Sequence, residues 1–153
     1  MDQPINASYL NLQEARASAV LLGASAWDVA PTELLCPTFR FVTFFMSYTR
    51  GGAAGAFDFA LEVSPYVDDL AGVQDWFQSA QFAAGAMEAG TNTTSGIQRE
   101  LVTYTATGAA IEDFAYGPLE LEGTIERLRM GCRESGNAGA PGTVHIMAQF
   151  SGG

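Results

Sequence analysis

Phe39-Arg40-Phe41-Val42-Thr43-Phe44-Phe45-Met46-Ser47-Tyr48, continued through Thr49-Arg50-Gly51-Gly52-Ala53-Ala54-Gly55-Ala56 into Phe57-Asp58-Phe59-Ala60-Leu61-Glu62-Val63-Ser64, is the stretch whose reading decides the fold class. Its second arm alternates: Phe57, Phe59, Leu61 and Val63 share one face, and Asp58, Ala60, Glu62 and Ser64 the other. That is the period-2 pattern of a half-buried strand. The first arm is apolar on both faces, with Phe39, Phe41 and Phe45 opposite Val42, Phe44, Met46 and Tyr48. Read together, the arms predict a β-hairpin with a glycine-rich tip. A two-sheet sandwich buries one face of each sheet, so the surplus apolar face predicts an extra layer, a covering loop or another subunit.

Working outward, strands are predicted over Arg16 to Gly23 and, briefly, near Ala26 to Val29, before the breaks at Pro31 and Pro37. Beyond the hairpin, Ser64-Pro65 opens a loop through Asp68, Asp69 and Gly72. A strand over Trp76 to Phe82 is favoured against a helical spacing of Val73, Phe77 and Ala80. Further strands are predicted over Ile97 to Thr107, over Phe114 to Tyr116 ahead of Gly117-Pro118, and over Ile125 to Arg133. The last runs from Thr143 to Phe150, with Val144, Ile146, Ala148 and Phe150 inward. About eight strands at this spacing predict an all-β, single-domain antiparallel sandwich of jelly-roll type. Residues 1 to 15 read as an N-terminal arm, 16 to 150 as the sandwich and 151 to 153 as a short tail.

The 153 residues suit one domain, which at this length buries roughly 70% of the surface its unfolded chain exposes. A formal net charge of -10, with no lysine, argues against capture of phosphate backbones, and nucleic acid is not the expected partner. The start, Met1-Asp2-Gln3-Pro4, lacks the basic and apolar stretches of a secretory signal, and no apolar run approaches membrane-spanning length. Cytoplasmic synthesis and no membrane partner are the expectations. Cys36 and Cys132 read as buried free thiols, although sequence alone does not show whether they meet.

Chemistry-bearing residues are sparse. His145 is the only histidine and falls on the outward side of its strand, so a histidine metal site or a catalytic triad lacks its parts. Gly51-Gly52-Ala53-Ala54-Gly55 lies between strands and lacks the lysine of a phosphate-binding loop. Asp68, Asp69 and Asp75 have no EF-hand spacing and read as an acidic loop. No catalytic residue, cofactor or metal is expected. Arg127, Arg129 and Arg133 share one face of one strand, where they pair with Glu120 and Glu122 across the adjoining turn or form an intersubunit patch. Candidate interface residues are these arginines, the arm residues Ile5, Tyr9, Leu10 and Leu12, and Phe44, Met46 and Tyr48. Tyr66, Trp76 and Phe77 offer an aromatic platform for a sugar ring.

The segment Phe41 to Gly52, the strand Phe59-Ala60-Leu61-Glu62-Val63-Ser64-Pro65 and the following Asp75-Trp76-Phe77 resemble tailed-phage virion proteins of sandwich fold. Tyr116-Gly117-Pro118-Leu119-Glu120-Leu121 and Arg127-Leu128-Arg129-Met130 are similar to the closing strands of those proteins. The resemblance spans residues 16 to 150 and is one of hydrophobicity and turns. It implies a capsid decoration, or cement, protein on the head surface of a virion, with the major capsid protein as partner and a homo-oligomer, a trimer first, as its state. The same strand logic is similar to galactose-binding and discoidin-type sandwiches, which leaves a carbohydrate-binding virion adhesin as an alternative. A low-copy tail or head-to-tail joining protein is another.

Overall fold

A computed structural model describes residues 11–23, 26–29, 31–52, 56–68, 76–78, 87–88, 99–105, 110–121, 125–135 and 140–152. Among them the chain forms strands β1 (Leu12–Arg16), β2 (Glu33–Leu35), β3 (Phe41–Thr49), β4 (Ala56–Ser64), β5 (Phe77–Gln78), β6 (Met87–Glu88), β7 (Arg99–Thr105), β8 (Ile111–Glu120), β9 (Arg127–Ser135) and β10 (Thr143–Ser151). The first sheet has the order β1-β10-β3-β8. The second has the order β2-β9-β4-β7-β6, with β5 also on β4. Setting aside the two-residue β5 and β6, the antiparallel pairs are nested: β1 with β10, β2 with β9, β3 with β8 and β4 with β7. A long double strand rolled over itself gives this nesting, and the added pairs β10·β3 and β4·β9 close the roll. The protein is an all-β, single-domain antiparallel sandwich with jelly-roll topology.

The inward set foreseen for β10 is fully buried, and Leu128, Met130 and Cys132 of β9 face it across the core. Phe57 stands at the centre of an aromatic cluster, its ring 5.0 Å from Tyr48, 5.6 Å from Tyr104 and 6.0 Å from Phe114. The far end is closed by Phe39 stacked on Phe150 at 5.3 Å.

The predicted hairpin is not one. β3 lies in the first sheet and β4 in the second, so the two strands do not pair with each other. Gly51 sits against the 140–142 backbone so closely that a Cβ would run into the carbonyls of Ala140 and Pro141, and Gly52 N–H donates to Ala140. The two arms also exchange roles. β3 is half-buried, with Val42, Phe44, Met46 and Tyr48 inward and Phe45 exposed, whereas β4 is buried on both faces, Asp58, Ala60, Glu62 and Ser64 included. A central strand flanked by neighbours and covered from outside can bury carboxylates only where cations meet them, and β9 supplies those cations.

Other boundaries shift. β1 begins at Leu12, so residues 12–15 belong to the sandwich and not to an arm, and the predicted strand from Arg16 to Gly23 ends at its first residue. Residues 26–29 form no strand, yet Asp28 N–H donates to Cys132 O and Gly23 O accepts from Glu134 N–H, extending the edge of β9 beyond β2. β8 does not stop at Gly117-Pro118 but continues through a cis peptide to Glu120, with Gly117 at φ 126°. Of the strand predicted over Trp76 to Phe82, Phe77–Gln78 is β5 and residues 79–82 lie outside the described residues.

Candidate functional site

The two outer faces of the sandwich differ in kind. On the second sheet, β4 and β9 run in register with Asp58 opposite Arg133 and Glu62 opposite Arg129. Arg133 Nε reaches Asp58 Oδ2 at 3.0 Å and Arg129 reaches Glu62 Oε2 at 2.6 Å. Arg127 pairs with Glu33 of β2 at 2.7 Å and donates to the Tyr66 carbonyl at 2.6 Å. Two tryptophans stack against the row: Trp76 on the guanidiniums of Arg129 and Arg127 at 4.2 and 4.9 Å, and Trp27 on that of Arg133 at 4.4 Å. Guanidinium stacking on an indole face adds cation–π attraction to the ion pairs.

These positions correct the sequence reading. The arginines pair with Asp58, Glu62 and Glu33, while Glu120 pairs with Arg40 at 3.2 Å and Glu122 lies outside the described residues. Arg127, 3% exposed, is a packing residue rather than part of an intersubunit patch. Trp76 is 7% exposed, so it offers no open platform for a sugar ring.

Inside the sandwich, two buried acids join the sheets. Glu134 of β9 accepts from the Tyr48 hydroxyl of β3 at 2.7 Å and from Gly142 N–H at 3.0 Å. Glu112 of β8 accepts from the Tyr104 hydroxyl of β7 at 3.0 Å, beside the stacked rings of Tyr104 and Phe114. Burial, followed by the hydrogen bond to its acid, pushes each phenol's pKa above its ordinary value of 10.0. Below pH 10 a tyrosine is protonated in both folded and unfolded chains. Above it, the unfolded chain loses the proton first, so stability falls as pH rises. Thermal unfolding scanned from pH 9 to 12 is expected to show this fall, and Tyr48→Phe to make it shallower.

Phe44, Met46 and Tyr48, candidates for an interface, are core residues with 0%, 2% and 0% exposure. Alternation then puts Phe41, Thr43, Phe45 and Ser47 outward. Ile5, Tyr9 and Leu10 lie outside the described residues, as do Asp69 and Asp75, while Leu12 is 46% exposed at the start of β1. Cys36 and Cys132 are both free and buried. Burial pushes the Cys36 thiol up to about 12, and Cys132 higher still. The thiolate is the reactive form, so a thiol reagent is expected to label neither cysteine in the native protein and both after denaturation.

The outer face of the first sheet is open, and the register orders its side chains in rows. Met147, Phe45 and Ala115 are direct cross-strand neighbours on β10, β3 and β8, with Glu14 of β1 opposite Met147. The adjacent row is His145, Ser47 and Asp113. His145 Nε2 lies 2.9 Å from Glu14 Oε2, and the Ser47 hydroxyl donates to Asp113 at 2.6 Å. The Ser47 proton is therefore directed to Asp113 and not to His145, so serine and imidazole do not form a nucleophile–base couple here. Over these rows lies an open groove of about 400 Å³ with an apolar and a polar side. Such a floor can hold an amphiphilic segment.

The sequence reading put His145 outward but missed Glu14, Phe45, Ser47 and Asp113 as its companions. Their signal is the odd-numbered set of β3, and it becomes visible only once β3 is known to lie between β10 and β8. Compared with protein-family models, curated proteins and solved structures, the chain matches none of them.

Proposed function

We propose that the chain is a structural protein of a tailed-phage head, a decoration or cement subunit that seats on the outer shell and links capsomers. The observation that carries this reading is the open outer face of the first sheet, where Phe45 is 46% exposed with Met147 as its cross-strand neighbour and Ala115 on its other side. Fold alone says nothing of function; a body with an open, partly apolar sheet face suits a subunit that docks on a larger surface. In this reading the open face meets the shell.

Its size bears on oligomeric state. Four strands spaced about 4.8 Å apart, three of them about 30 Å long and β1 about 17 Å, present on the order of 500 Å². A standard interface takes about 800 Å² per partner. One face alone is a weak anchor, and a trimer that sets three of them on a shell axis gains by multivalency.

Shells of the phage that encodes the chain, prepared without it and mixed with the purified protein, are expected to bind it saturably. Phe45→Glu, on the exposed side of β3, is expected to lose that binding while its thermal unfolding stays close to that of the parent. Undiminished binding by Phe45→Glu would contradict docking through this face.

A further inference from the structure

We infer that the groove on the first sheet is built for an extended basic segment of a protein partner, two arginine or lysine side chains flanking an apolar one. This rests on the docking reading above and adds the partner's chemistry. The argument begins with charge. The chain carries seventeen acidic and seven basic residues. Arg16, Arg40, Arg127, Arg129 and Arg133 are held in intrachain ion pairs. None of these five arginines pairs with Glu14 or Asp113, so cations supplied by a partner would complement the acids of the open face.

On the open face, the acids sit where such cations would land. Glu14 on edge strand β1 and Asp113 on edge strand β8 bracket Phe45 and Met147. Glu14 is half exposed and has His145 as its neighbour; Asp113 is exposed, bonds Ser47, and has no cationic partner among the described residues. Three strand spacings and an offset of two residues separate these carboxylates by roughly 15 Å. An extended segment spans about 14 Å over four residues and presents alternate side chains to one face. A sequence of the form basic-x-apolar-x-basic, laid across the strands, therefore seats its apolar residue on Phe45 and Met147 and its cations on Glu14 and Asp113. The aliphatic stems of arginine or lysine would lie on the same apolar row.

The test is an amide-resonance titration of the whole chain with the peptide Ac-Arg-Thr-Leu-Thr-Arg-NH2, and with Ac-Glu-Thr-Leu-Thr-Glu-NH2 as control. The basic peptide is expected to shift residues 45–47, 113–115 and 145–147, and the acidic one to leave them unmoved. The double variant Glu14→Gln, Asp113→Asn is expected to weaken binding roughly 5- to 10-fold, and added salt to weaken the parent complex similarly. Equal shifts with both peptides, shifts elsewhere on the protein, or no shift would overturn the inference. Because the titration uses no shells, its failure removes the basic segment and leaves the shell reading to its own binding assay.

Discussion

Asp28→Ala is expected to destabilise the protein by about 3–5 kcal/mol, the cost of stripping one partner from a buried ion pair. Arg16 is 4% exposed, and its five N–H donors are all engaged: two on Asp28 at 2.9 and 3.0 Å, and three on the carbonyls of Val20, Leu21 and Val144. Asp28 also accepts from Cys132 N–H at 3.1 Å, so this one carboxylate ties β1 of the first sheet to β9 of the second. Removing it strands a guanidinium in the sandwich and frees the edge segment along β9. Against a total stability of about 5–15 kcal/mol this is a large fraction, and equilibrium urea unfolding should show a much lower midpoint. Arg40→Ala is the control, because Arg40 and Glu120 are 65% and 60% exposed. Such a pair contributes about 0–1 kcal/mol. Equal effects of the two substitutions would contradict the clamp.

Phe57→Ala is expected to cost about 3–5 kcal/mol, through lost burial and the cavity left behind. The ring is fully buried and touches the rings of Tyr48, Phe59, Tyr104 and Phe114, which come from both sheets. Collapse around the gap is restrained because Tyr48 and Tyr104 are tethered to Glu134 and Glu112. Phe57→Leu, which keeps most of the volume, should cost markedly less. A Phe57→Ala protein as stable as its parent would mean that the two sheets do not meet through this cluster.

The sandwich was legible wherever alternation was clean. On β10 polar Thr143, His145 and Gln149 separate buried Val144, Ile146, Ala148 and Phe150, so periodicity alone assigns the faces. On β3 it fails, because Phe41 and Phe45 are as apolar as Val42 and Phe44; only the pairing with β10 and β8 tells inside from outside. β2 escaped notice because three residues between prolines are too few to show a period. The mistaken hairpin came from adjacency: consecutive strands usually neighbour one another. The contact made just beyond β3, Gly51 against residues 140–142, joins segments some ninety residues apart. The arginine row was visible as a row, but its partners were not, since sheet order rather than sequence distance put Asp58, Glu62 and Glu33 beside it. For the same reason the rows of the open face, drawn from four strands, had no signature along the chain.

The most direct measurement of the proposed role is the copy number of this chain in purified particles from its source, by quantitative mass spectrometry against the major shell protein. The account predicts a ratio near one copy per shell subunit, or one trimer per several of them. A handful of copies per particle, or none, would contradict a role in decorating the head.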